Sequence, residues 1–190
     1  MFKKVVLVAL SAVSVFAMHS AEVNINNSDL ELSVRLDMGQ FNESVEPDTI
    51  FLGARYLNAD ERHSDVGSID DYQEVSFLMQ REVDSDFRLG LGVKLNHTKD
   101  FVSIPLGVEA SYKLPFSSNV PFYIGASIYA APEVLSLDKA DNYLEYRINL
   151  EAEAIKNGFI TLGYRHMDTN YERRDVEYNE SIYFGFKFLF

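Results

Sequence analysis

Asn142-Tyr143-Leu144-Glu145-Tyr146-Arg147-Ile148-Asn149-Leu150-Glu151-Ala152-Glu153-Ala154 alternates residue by residue. Leu144, Tyr146, Ile148, Leu150 and Ala152 fall on one face, and Tyr143, Glu145, Arg147, Asn149, Glu151 and Glu153 on the other. A period of two over this length is a β-strand with one apolar and one polar face, because successive side chains leave a pleated backbone on opposite sides. Phe87-Arg88-Leu89-Gly90-Leu91-Gly92-Val93-Lys94-Leu95-Asn96 repeats the pattern. Working outward from these two runs, ten such segments emerge, near 22–27, 30–38, 50–58, 72–81, 87–96, 101–113, 120–130, 142–154, 158–167 and 181–190.

Segment length decides between the architectures that alternation allows. Soluble strands average about 5–6 residues, whereas a strand tilted across a bilayer needs about 9–11, and nine of the ten segments reach or approach that. The fold expected is all-β: a transmembrane antiparallel up-and-down β-barrel of ten strands, with eight as the alternative if the short first strand, Glu22-Val23-Asn24-Ile25-Asn26, does not count. The last segment, Ser181 to Phe190, places Ile182, Phe184, Phe186, Phe188 and Phe190 on one face. It resembles the C-terminal insertion signal of bacterial outer-membrane proteins, which implies the barrel-assembly machinery as a partner. As an exposed edge of a soluble protein, such a strand would invite aggregation.

The N-terminus reads as a targeting segment. Lys3-Lys4 precede an apolar run from Val5 to Met18 interrupted by Ser11 and Ser14, and small residues follow at Ala17 and Ala21. The run is shorter than the ~20 residues of a spanning helix, so residues 1–21 are expected to be a removed signal peptide, cut after Ala21 or, alternatively, Ala17. Residues 22–190 are then one barrel domain with 15 basic and 29 acidic side chains, a balance of −14 against −12 for the whole chain. Absence of cysteine excludes disulfides, thiolate nucleophiles and cysteine-ligated metals. A strongly acidic chain with no Lys/Arg cluster excludes a nucleic-acid partner.

Charges on a spanning strand must face the lumen or lie beyond the membrane. The polar faces carry Glu31, Asp37, Glu74, Glu109, Glu145, Glu151 and Glu153 against Arg35, Arg55, Arg88, Lys94, Lys113, Arg147, Arg165 and Lys187, so the interior is nearly neutral. The acidic surplus falls in outward loops expected at 59–71, 131–141 and 168–180 and in inward turns at 39–49 and 82–86. Three of the four outward connections (97–100 is the fourth) read as long, and three of the four inward ones as short. A near-balanced lumen fills with ion pairs, because an isolated charge there is expensive. The expectation is therefore a plugged or very narrow interior, with inward glycines at 53, 90, 92, 107, 125, 163 and 185 permitting close packing. Tyr56, Phe87, Tyr112, Phe122, Tyr146, Tyr164 and Phe190 are expected at the membrane interfaces.

Gly53-Ala54-Arg55-Tyr56 before an acidic loop, Phe122-Tyr123-Ile124-Gly125 running into Ala131-Pro132-Glu133-Val134-Leu135-Ser136, Gly163-Tyr164-Arg165 and the ending at Phe190 resemble the YfaZ family of bacterial outer-membrane proteins. The resemblance covers essentially the whole mature chain. It implies a small barrel in the outer membrane of a Gram-negative bacterium and no catalytic residues.

Chemistry was sought among the titratable residues. His166-Met167-Asp168 with Asp70-Asp71 is loosely similar to the His–Asp and paired-Asp arrangement of omptin proteases. A lipase pair would need His97 and Ser103 together, and their spacing does not provide it. Asp60, Glu61, Asp65, Asp70 and Asp71, and Asp168, Glu172, Asp175, Glu177 and Glu180, offer oxygen ligands to divalent cations but lack the spacing of a dedicated calcium loop. The expectation is no catalytic, cofactor or dedicated metal site. The protein reads as a non-enzymatic barrel acting structurally or through its acidic loops, with outer-membrane lipid and lipopolysaccharide as partners and divalent cations at those loops. The alternatives are a small porin-like channel for ions or small solutes and, third, an enzyme with a loop-borne site.

Overall fold

The computed structural model describes residues 19–60, 63–65, 67–99, 101–116, 120–138, 140–171 and 174–190. The targeting segment up to residue 18, including Ala17, lies outside them, as do Glu61 and Glu172.

Twelve strands form: β1 (Ser20–Ile25), β2 (Leu30–Asp37), β3 (Ile50–Ala59), β4 (Ile69–Asp84), β5 (Phe87–His97), β6 (Phe101–Ser103), β7 (Leu106–Lys113), β8 (Phe122–Ala131), β9 (Ser136–Asp138), β10 (Ala140–Ile155), β11 (Gly158–Tyr171) and β12 (Arg174–Leu189). Ten of them close into an antiparallel barrel in the order β1-β2-β3-β4-β5-β7-β8-β10-β11-β12 and back to β1. Closure falls on the shortest wall strand: β1 pairs with β2 from Ser20↔Arg35 to Ile25↔Leu30 and with β12 from Ser20↔Leu189 to Ile25↔Phe184. Closure leaves the ten-strand wall without a free edge, the condition for strands to cross a bilayer. An even number of wall strands puts both termini at one end, called here the terminal rim; the other is the distal rim.

Alternation sorts the two faces as expected. Leu32, Val34, Phe77, Leu91, Ile128, Ile148, Leu162 and Phe184 are exposed on the outside, while Glu31, Arg55, Glu74, Lys94, Glu145 and Arg165 are buried within. The inside of the barrel, not a sandwich of sheets, is the core. No helix among the described residues is long and apolar enough to cross a membrane, which has no bearing on crossing by strands.

Two expectations change. The segment 101–113 is divided into β6 and β7 at Ile104–Pro105, where proline has no N–H for the ladder. Beyond that break β7 keeps β8 as its neighbour, but β6 takes β9, which follows a short helical turn at Glu133–Leu135 and replaces β8 in the sheet. The long outward loops expected at 131–141 and 168–180 are the second change. The first is mostly the helical turn and β9, and the second is strand, since β11 runs to Tyr171 and β12 starts at Arg174. The asymmetry between rims is carried by strand length: β4, β10 and β12 have 16 residues each, and their distal ends continue past the apolar band.

Candidate functional site

The lumen is closed in layers, and the middle one is ionic. Arg55 on β3 is its hub: Nη1 lies 2.6 Å from Glu145 Oε1 on β10, and Nη2 pairs with Glu74 on β4. Glu145 also receives Lys94 Nζ at 2.9 Å and Arg147 Nε at 2.7 Å. Glu31 on β2 collects Arg147 Nη2 at 2.6 Å and Arg165 Nη1 at 2.7 Å, with Asn24 Nδ2 donating at 2.9 Å. Arg165 is 1% exposed and Glu145 fully buried. Such groups tolerate burial because nearly every donor meets an acceptor; a lone ion here would lose its hydration without compensation. Arg165 illustrates this, donating further to Asn179 at 2.8 Å, Ser181 at 3.0 Å and Asp29 at 3.2 Å.

Towards the terminal rim, Arg35 and Glu109 form a bidentate pair at 2.9 and 3.0 Å, and Tyr129 donates its hydroxyl to Glu109 at 2.7 Å. Lys187 pairs with Glu151. A cavity of about 60 Å³ lies among Glu22, Arg35, Arg55, Glu74, Glu109 and Arg147. It has room for a few waters. Arg88 sits at the rim, its side chain 39% exposed, with Asp48 at 3.2 Å and Glu82 at 3.1 Å, and Arg35 is similarly open at 43%. Asp37 is used locally, accepting from Gly39 N and Asp48 N in the turn after β2.

The distal layer is apolar. Leu57, Ile69, Tyr72, Phe101, Tyr143, Met167 and Tyr178 form one buried cluster, against which Leu135 packs. Phe101, brought in by β6, stands edge-on to Tyr178 at 5.2 Å between ring centroids and tilts against Tyr143 at 5.7 Å. The hydroxyls of Tyr72 and Tyr143 are 3.2 Å apart and turn down to the ionic layer, Tyr72 to Arg55 at 2.6 Å and Tyr143 to Glu145 at 3.2 Å. These two tyrosines join the cap to the hub.

Glycine makes this filling possible. Tyr129 lies across from Gly107, and a Cβ on Gly107 or Gly92 would come within 2.5 and 2.3 Å of it. Tyr183 covers Gly163 in the same way, with 2.3 Å to the ring. An inward ring can fold flat over the wall only where the opposing residue has no side chain.

The residues considered for catalysis do not converge. His166 and Asp168 point outward from β11, away from the lumen, with Nε2 2.6 Å from Asp168 Oδ2, and Asp71 leaves β4 on the face opposite buried Tyr72. His97 is exposed outside while Ser103 is buried inside. Sequence reasoning placed Tyr143 on the inward face of its strand and missed Asp29, Tyr72 and Tyr129 as lumen groups. For the tyrosines a signal existed, since each falls on the polar parity of its strand. Of the interface aromatics, Tyr112 is exposed on the outside, Tyr146 and Tyr164 lie side by side there at 6.0 Å, and Phe190 packs against His19.

A closed antiparallel barrel with a continuous apolar exterior and a charged, internally satisfied interior is an integral outer-membrane β-barrel. No family model and no curated protein matches the chain. Among solved structures it is similar to the KdgM porin (8% identity, TM-score 0.44) and the NanC porin (8%, 0.45), each over 90% of this chain and 98% of the other. It is also similar to Ail, the attachment invasion locus protein of Yersinia pestis (11%, 0.24), over 90% and 98% of the two chains. Identities this low carry no ligand or activity across to this chain.

Proposed function

We propose that this protein is a non-enzymatic barrel with a lumen closed to solutes, acting as a structural or surface-interaction element of the outer membrane. The observation that carries the reading is the buried network around Arg55, Glu145, Glu31 and Arg165, which spans the barrel from wall to wall. Moving an ion or sugar through it would require unpairing several desolvated charges at once. The aromatic cap supports the same reading at the distal mouth.

In this proposal the terminal rim lies in the periplasm and the distal rim outside, where lipopolysaccharide surrounds the extended strands, and membership of the YfaZ family is part of it. Export with a cleaved signal peptide also belongs here, with the cut after Ala17. His19 and Phe190 exchange backbone hydrogen bonds at 3.2 and 2.9 Å, and Ser20 and Ala21 are paired residues of β1, so a cut after Ala21 would remove part of the seam.

The purified barrel in planar lipid bilayers tests the reading. The expected result is no stable conductance above that of the bare membrane. Reproducible single-channel steps would overturn it and establish the small channel instead.

A further inference from the structure

The outer wall between β11 and β12 carries a side-chain cluster that the lumen does not use. His166, Glu177 and Glu180 bring a ring nitrogen and two carboxylate oxygens within 4.8 Å of one another. His166 faces Glu180 across the two strands, and Asp168 faces Glu177. Residues 177 and 180 would normally leave a strand on opposite faces. The register shift between Met167 and Asp168 cancels the odd step and turns both glutamates outward. The cluster begins two residue pairs beyond Tyr164 and Ile182, at the distal edge of the apolar band.

Two observations separate it from an ordinary acidic surface. The first is the state of the imidazole. Asp168 Oδ2 lies 2.6 Å from Nε2, and Tyr146 stacks on the ring at 4.8 Å between centroids, so its orientation is set. Nδ1 is buried without a hydrogen-bond partner, and a neutral ring donating from Nε2 to Asp168 would present its lone pair there. A carboxylate on the far nitrogen is the usual outer-shell support of a metal-bound histidine. The second is the pair of acids. The carboxylate oxygens of Glu177 and Glu180 offered to the cluster lie within 4.8 Å of one another, and among the described side chains neither forms an ion pair with a Lys or Arg. Two carboxylates this close repel each other, and a cation between them relieves that repulsion. Tyr164 donates to Glu180 Oε1 at 2.6 Å, holding that carboxylate in place.

We infer that His166, Glu177 and Glu180 form a binding site for a divalent transition-metal ion of the Zn²⁺ class, on the outside of the barrel. One imidazole nitrogen with two carboxylates suits such an ion better than Ca²⁺ or Mg²⁺, which prefer all-oxygen shells. Metal–ligand distances of about 2.0–2.2 Å require the three donors to draw in slightly from their present spacing, within the reach of side-chain rotation. Asp168 is a positioning residue that acts through His166. The remaining coordination positions face away from the lumen, so the ion is reached without passing through the barrel.

Calorimetric titration of the folded, detergent-solubilised barrel with Zn²⁺ in a large excess of Mg²⁺ tests this. One equivalent is expected to bind. Glu177→Gln with Glu180→Gln should abolish that event, His166→Ala should weaken it at least about tenfold, and Asp168→Asn should weaken it about 10- to 100-fold. Heat-modifiable migration on a gel shows that each variant is folded, and the substitutions lie outside the packed lumen. Absence of a stoichiometric event in the unaltered protein, or an event unchanged by the double substitution or by His166→Ala, overturns the proposal. A conductance result bears only on the closed lumen, so the two readings fail separately.

Discussion

The ionic middle of the lumen and the aromatic cap at its distal rim both fill the barrel, by opposite physics. In the middle, Arg55, Glu31, Glu145 and Arg165 hold one another through charge-assisted bonds from strands on all sides. Each ion there is tolerable only while its partners are present. In the cap, Phe101, Tyr178, Met167 and Leu57 exclude water through packed area, and each contact is replaceable by another of similar shape. A charged layer therefore specifies partners and fails abruptly, whereas an apolar layer specifies volume and fails gradually.

Substitutions can break or sharpen that contrast. Glu145→Gln is expected to have the largest effect, about 3–5 kcal/mol of lost stability, because it removes the carboxylate shared by Arg55, Lys94 and Arg147 and leaves the buried layer with an uncompensated positive charge. Denaturant unfolding of the refolded barrel reads it. A loss below about 1 kcal/mol would mean that water already reaches the hub. Phe101→Ala removes a fully buried ring, for which about 3 kcal/mol is expected, lessened if β6 and β9 settle into the gap. If this variant conducts while the Glu145 variant does not, the cap rather than the ionic layer is the seal.

Gly163→Ala comes next. The new methyl would meet the Tyr183 ring, and about 1–3 kcal/mol is expected from the forced rotation, with a smaller loss when Tyr183→Phe or Tyr183→Leu is combined with it. The smallest effect is that of acid on the turn between β1 and β2. Burial alone would push the Asp29 carboxyl up, but hydrogen bonds from His63 and Asn26 and the charge of Arg165 outweigh it and hold it below its usual value. A carboxyl depressed on folding contributes stability above its unfolded pKa, and that contribution is lost as pH falls through the folded value. Once pH falls below the usual carboxylate range, protection of the Ser28 and Asp29 amides, corrected for the pH dependence of intrinsic exchange, should fall, and Asp29→Asn should remove that pH dependence.

The extent to which the sequence was legible follows the same division. Alternation in the run from Asn142 to Ala154 correctly separated Glu145 and Arg147 from Tyr146 and Ile148, since pleating is a local property. The distal ends of β4, β11 and β12 were read as loops because their acidic residues lack an apolar partner face; strand pairing beyond the membrane needs hydrogen bonds but no greasy exterior. Tyr143 shared the polar face with Glu145, but Tyr72 and Tyr129 were not singled out despite the same parity, since a tyrosine suits an interface as well as an interior. The odd step that brings Glu177 and Glu180 together is a bulge, and nothing in their spacing announces it.

By itself the sequence determined an up-and-down antiparallel barrel, which residues its long strands turn outward, and that the inward charges nearly balance. All of these follow from period, segment length and parity, quantities carried by neighbouring residues. Only the tertiary structure decided that Glu31 takes Arg165 from 134 positions away, that β9 displaces β8 beneath the cap, and that His166 looks outward beside two glutamates. Those choices depend on how the sheet closes and on the stagger between its strands, which no single strand contains.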